Sequence, residues 1–172
     1  GDDLRQFDAV VIATHPQQAL KILAAPTPLQ HEVLGAMPYS VNHTQLHTDE
    51  SVLPRSARAR ASWNYRIPFC AARPDQVLVS YDMTRLQRLP GTGERYLVTL
   101  GGADIVDPGR VLDTMVYEHP QYTPASLAAQ RRLPELSDDV LAFAGAYHGW
   151  GFHEDGALSG LRAAELLGGQ WT

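Results

Sequence analysis

Two short runs near opposite ends of the chain most constrain its fold. Residues 8–14 read DAVVIAT and residues 140–144 read VLAFA. Both are continuous apolar, β-favouring runs rather than alternating ones. Such runs suit strands buried on both faces, as in parallel sheets. Parallel partners need a crossover connection, so a long stretch of chain can separate them.

The sequence between them changes character. Residues 39–48, 59–67, 76–84, 95–100 and 111–118 read as strands. Several alternate apolar and polar positions, the pattern of a sheet with one covered face. Pro54, Pro68, Pro74, Pro90 with Gly91, and Pro108 with Gly109 punctuate them. Short connections of this kind favour antiparallel neighbours. The expectation is an α+β chain: a mixed, mostly antiparallel sheet flanked by helices, with strands from a second domain at its two ends. By sequence, residues 1–16 and 139–172 belong to one domain and residues 17–138 to another.

Helices are marked by their starts. Pro16 suits a first turn and predicts a helix over residues 17–23; a second follows over 29–34 and ends at Gly35. Residues 85–89 have the makings of a helical turn. Thr123 caps a helix expected over 124–132, with Pro124 at its first position. A final helix is expected over 156–167.

The net charge of -5 and the lack of a basic run argue against nucleic acid as a partner. No window is long and apolar enough to span a membrane, and no secretory leader pattern is visible. With one cysteine, Cys70, there is no internal disulfide framework, and a reducing, cytoplasmic setting is the expectation. Cys70 has no histidine nearby in sequence and reads as a packed or loop thiol. The chain begins at Gly1 and enters its first strand almost at once, which suggests a piece of a longer protein.

The richest chemistry lies in residues 145–168, GAYHGWGFHEDGALSGLRAAELLG. A strand, a glycine loop and a helix follow one another there. Ligands bind where such loops leave the carboxyl ends of strands in open α/β sheets. The helix start offers free N–H groups and partial positive charge, and Asp155 is a candidate cap. Gly156, Gly160, Ala163 and Ala164 share one helical face, which serves either tight packing or close approach of a flat ligand. His148, His153, Glu154 and Asp155 raise a metal reading, but the H-E-x-x-H spacing is absent. Ser159 does not lie in a G-x-S-x-G elbow, which argues against a serine hydrolase.

These residues also carry a resemblance. Residues 143–168, with Gly156, Ala157, Ser159, Gly160, Ala163 and Ala164 in order, resemble the closing segment of the flavin-containing amine oxidase superfamily. FDAVVIATHP, through Asp8, Val10, Val11, Ala13 and Pro16, is similar to the strand by which that family's chain re-enters its FAD domain. HTD, ASWNY, VSYDMTRLQ and YEHPQYT resemble the middle domain of a bacterial FAD-dependent oxidoreductase subgroup, so nearly the whole chain is covered. The resemblance implies strand and helix remnants of a Rossmann-like FAD domain around a substrate-binding domain. It implies FAD as cofactor, and hydride transfer from a substrate C–H to flavin N5. The N-terminal FAD domain, with its G-x-G-x-x-G fingerprint, would lie outside this sequence, leaving the piece alone inactive.

Carried over by position, Thr14, His15, Pro16, Gly145, Ala146, Phe152, Asp155, Gly156 and Ala157 are expected at the cofactor. Trp63, Tyr147, Trp150 and His153 are expected at the substrate pocket. His153 and Tyr147 stand nearest to a catalytic base by position; no catalytic residue is assigned and no metal is expected. Two departures matter. Ala146 stands where the family has an acid, and Lys21, the only lysine, lies in the helix after the crossing strand. An amine or a lipid-like, isoprenoid-type small molecule therefore fits equally as substrate. The alternatives are a non-catalytic binding domain that forms a homodimer through open strand edges, and a metal-dependent hydrolase built on the His148/His153 loop.

Overall fold

A computed structural model describes residues 4–67, 78–91 and 93–170. Cys70 and the start of the strand expected over 76–84 lie outside the described residues. The fold is α+β: the mostly antiparallel sheet expected from sequence is present, beside a small parallel pair of strands. Among the described residues, no helix is long and apolar enough to cross a membrane.

The chain divides into two compact units. The first comprises residues 1–40 and 120–172, and the second residues 41–119. These boundaries differ from the 16/17 and 138/139 divisions expected from sequence. The reason is packing: three helices expected in the middle domain bury their apolar faces in the first unit.

In the first unit, β1 (Val10–Ile12) pairs in parallel with β7 (Leu141–Phe143), with Val10 opposite Leu141 and Ile12 opposite Phe143. The two apolar end runs are therefore neighbours, as the sequence pattern anticipates. Around them lie α1 (Pro16–Ile22), α2 (Pro28–Gly35), α4 (Pro124–Gln130) and α5 (His153–Leu166). Proline opens α1, α2 and α4, where its missing N–H costs nothing. Thr27 and Thr123 cap two of them, accepting from Gln30 N–H at 3.2 Å and Ser126 N–H at 3.0 Å. The core joins Ile12, Ala19, Val33, Leu34, Leu133 and Phe143, with Met37 and Tyr147 beside them. Leu34 and Leu133 are essentially inaccessible. Burial of each such leucine contributes about 1.5–3 kcal/mol.

One expectation fails here. The 8–14 run is not buried on both faces, since Val10 and Val11 remain 50% and 40% exposed. Among the described residues β1 and β7 have only each other as strand partners; within β1 only Ile12 is buried, whereas Ala142 and Phe143 of β7 are covered.

The second unit is a five-stranded sheet in the order β3-β4-β5-β2-β6. Its strands are β2 (Tyr39–His47), β3 (Trp63–Arg66), β4 (Leu78–Asp82), β5 (Leu97–Leu100) and β6 (Val111–Pro120). The turn expected at 85–89 forms slightly earlier, as α3 (Met83–Leu86), because Asp82 caps it by accepting from Arg85 N–H at 3.0 Å. A small core of Val52, Leu53, Leu97 and Val106 lies against one face.

Candidate functional site

The parallel pairing brings two loops to one end of the first unit. Both strands run the same way, and Ala144 N–H bonds Ile12 O at 3.1 Å just past the paired residues. Thr14, His15 and Pro16 leave β1 at that end; Gly145 and Ala146 leave β7 there. Five residues expected at the cofactor from sequence are thus gathered by backbone topology alone.

Each loop is held by its own hydrogen bonds. His15 is the residue before α1; its N–H is met by Gln18 Oε1 at 3.2 Å, and its ring stacks on Tyr39 with centroids 4.3 Å apart. Thr14 Oγ1 donates to His15 O at 3.3 Å. Gly145 has φ +156°, and a Cβ there would collide with the Tyr147 ring. Glycine is required at this exit. Gly149 is equally constrained, because a Cβ would run into the Asp155 carboxylate.

Asp155 is the organiser of the glycine loop. Its Oδ2 accepts from Trp150 N–H and Phe152 N–H, each at 2.9 Å. The final helix therefore starts at His153, not at Gly156 as expected, with Phe152 as its first flanking residue. Asp155 sits one turn inside and reaches back to cap, rather than standing at the cap itself. Its carboxylate is engaged by the protein's own backbone.

Three side chains that the sequence does not mark as site residues complete this frame. Ser159, 3% exposed, accepts from Gly145 N–H at 2.9 Å and lies 2.8 Å from Gly156 O. It ties the exit of β7 to the first turns of α5. Gln130 Nε2 donates to Tyr147 O at 2.9 Å and Gly149 O at 2.6 Å. Tyr122 donates its hydroxyl to Gly149 O at 3.2 Å and packs its ring against Trp150. Only the helical back-bonding habit of serine hints at the first of these.

The remaining expected residues separate by burial. Tyr147 belongs to the core at 4% exposure, and its Oη has no hydrogen-bond partner. Burial, helped by Tyr39, pushes its pKa well above the ordinary value, so the phenol stays protonated. The neighbouring His148 has a buried, unpartnered Nε2; burial, with Arg162 adding, lowers its pKa to about 4. It is uncharged at neutral pH. Trp150 and Phe152 are 62% and 68% exposed, and His153 and Ala157 are also exposed. Trp63 belongs to the second unit, on β3 opposite Tyr81. Among the described residues, no group of three or more His, Cys, Asp or Glu side chains could hold a metal ion.

The outer face of α5 is open. Ala157, Leu158, Gly160, Leu161 and Ala164 line a largely apolar groove of about 540 Å³. A Cβ on Gly160 would meet nothing within 4 Å. Of the small residues, Ala163 is buried against Ala142 and Ala144, so it alone fits the tight-packing reading. Comparisons with protein-family models and with curated proteins find no match to this chain.

Proposed function

We propose that the first unit is the closing part of a flavin site, and the chain a segment of an FAD-dependent oxidoreductase acting on an amine or lipid-like small molecule. The observation that carries this reading is the parallel pairing of β1 with β7. It sets the Thr14–Pro16 turn and the Gly145–Ala146 turn side by side at strand carboxyl ends, where α/β sheets bind dinucleotides. The second unit, with its five-stranded sheet, is the substrate-binding part.

The residues present fit such a group in two respects. Gly160 leaves the outer face of α5 uncovered by packing, since an added Cβ there would meet nothing within 4 Å. A flat ring system has room against this face. The helix start is also tuned: Glu154 and Asp155 lie in its first turn and offset part of its positive end. That balance suits a carbonyl oxygen carrying partial charge better than a full phosphate.

When bound, FAD would supply the hydride acceptor. The chain's own residues do the rest. Asp155 fixes the 149–152 loop through two N–H groups, Ser159 fixes Gly145, and Gln130 fixes the carbonyls of Tyr147 and Gly149. Neutral His148 and protonated Tyr147 add no charge to this wall at neutral pH.

Purified protein carrying this chain, in its natural length, tests the reading. Titration with FAD should quench flavin fluorescence and leave a stoichiometric yellow complex after gel filtration. Colourless protein with unquenched flavin at all concentrations would refute it.

A further inference from the structure

The second unit contains a fully buried histidine that the flavin reading does not use. His47 closes β2 and has no exposed surface. Its Nδ1 accepts from the Asp49 backbone N–H at 3.1 Å, and its Nε2 lies 2.7 Å from Thr99 Oγ1. Thr99 Oγ1 in turn lies 2.8 Å from Ser80 Oγ. Thr99 and Ser80 are directly opposite on β5 and β4, and both are buried.

This geometry fixes the ring proton. A backbone N–H only donates, so Nδ1 carries no hydrogen. The neutral ring must then carry its proton on Nε2 and donate it to Thr99. A Thr99 hydroxyl donating to Nε2 would strip both ring nitrogens and is excluded; between Thr99 Oγ1 and Ser80 Oγ either can donate.

The bond from Asp49 does more than satisfy the ring. Asp49, 5% exposed, accepts from Ser51 N–H and Asp107 N–H, each at 2.9 Å. Thr48 N–H bonds Arg110 O at 3.0 Å. Asp107 caps its own turn by accepting from Gly109 N–H at 2.9 Å. The 47–51 and 106–110 segments are thereby stitched together over Val52, Leu53, Leu97 and Val106.

We propose that His47 is a proton-sensitive latch: uncharged, it holds the Asp49 turn and the 106–110 turn on the sheet, and protonated at Nδ1 it releases them. A proton on Nδ1 would face the Asp49 N–H across 3.1 Å, donor against donor. A cation would also stand on a ring with no exposed surface, out of reach of water. Relief comes from moving the turn away and admitting water.

The charged groups around the ring are few. On its own strand exit stands the Asp49 carboxylate, which favours the cation. On the same sheet face, beyond Leu97, lies Asp82, fully buried and paired with Arg95. Asp107 and Arg110 sit on the stitched turn and pair with each other at 3.8 Å. Glu50 is engaged by Arg60 at 2.7 Å and reached by Arg95 at 3.6 Å. His43 occupies the same face of β2, four residues back, at an exposed position. Burial outweighs Asp49 and lowers the His47 pKa from its ordinary 6.5. For Asp49, burial works upward, but the N–H groups of Asp107 and Ser51 outweigh it and the net direction is down. Asp49 thus stays ionised while His47 titrates.

Amide hydrogen exchange followed by NMR from pH 7.5 to 5.0 tests the latch, with rates corrected for intrinsic pH dependence. The Asp49 and Asp107 amides should gain exchange relative to those of Ser80 and Thr99, approaching about tenfold per pH unit as pH falls below the ordinary 6.5 and levelling off below the lowered value of the folded ring. His47→Asn keeps an acceptor for the Asp49 N–H that cannot take a proton, and its profile should be flat. Equal acceleration in the variant, or none in the parent protein, overturns the proposal. If the variant does not fold, the parent decides: the ¹⁵N shifts of the His47 ring must show the Nε2–H tautomer at pH 7.5. They must also titrate with the same midpoint as the Asp49 amide. A ring that titrates without moving that amide refutes the latch.

Discussion

His148 shows how little a residue's type says about its role. In sequence it belongs to a cluster of histidines and acids that invites a metal. In the structure its Nε2 is buried without a partner and its pKa lies at about 4. The unfolded chain binds a proton at this ring below pH 6.5, whereas the folded chain does not until about pH 4. The folded pKa is depressed for a base, so its contribution is fully present above pH 6.5 and drains away as pH falls toward 4. His47 acts in the same direction. Urea midpoints should therefore drop between pH 7 and pH 4.5. His148→Phe removes a buried polar atom that bonds nothing, so it should unfold at no lower urea than the parent at pH 7. It should also lose less between the two pH values. An unchanged drop in the variant would mean that His148 is not the titrating group.

At the scale of elements, α5 records both what was legible and what was not. The small-residue face, the glycine loop before it and the leucines within it are plain in the sequence. Its start is not, because Asp155 looks like a residue standing before a helix. It is in fact one turn inside, reaching back to Trp150 and Phe152. Where proline or threonine marks the first turn, as at Pro16, Thr27 and Thr123, the expected starts hold to within a residue. The 8–14 run misleads for another reason. Its apolar pattern reports what the strand suits, and a window of sequence cannot say whether a second neighbour covers it. The Ser159 clamp on Gly145 was not legible at all as a pairing: it depends on how the helix returns past β7. Asp155→Ala removes the acceptor for two N–H groups and the reach-back cap. Loss of a cap costs about 1 kcal/mol; both N–H groups lie at exposed positions, where water can replace the carboxylate, so little is added to that. The thermal midpoint should fall, and protection of the Trp150 and Phe152 amides should fall with it. Unaltered protection at those two amides would show that the loop does not depend on the carboxylate.

At the scale of the whole molecule, the chain's plan was legible and its seams were not. The sequence shows parallel-type strands at both ends and an antiparallel block between. It does not show that α1, α2 and α4 pack around β1 and β7, since an amphipathic helix declares that it has a buried face and not what lies against it. The structure makes the seam unusually clean. Every buried residue of the core around Leu34, Leu133 and Phe143 comes from residues 1–40 or 120–172. The core of Val52, Leu53, Leu97 and Val106 lies wholly within 41–119. At the seam itself Gln121 N–H bonds Pro38 O at 2.9 Å, so the two ends of the first unit already meet without the second. Closing such short gaps costs little chain entropy. Replacing residues 41–119 by a short glycine linker should therefore leave a chain that folds. Expected are a cooperative thermal transition and near-ultraviolet circular dichroism from buried Tyr147. Slowed exchange at the Val10 and Ala144 amides, which bond across β1 and β7, would show that the parallel pair persists. Non-cooperative melting with no protected β1 or β7 amide would mean that the inserted sheet is needed to hold the two ends of the chain together.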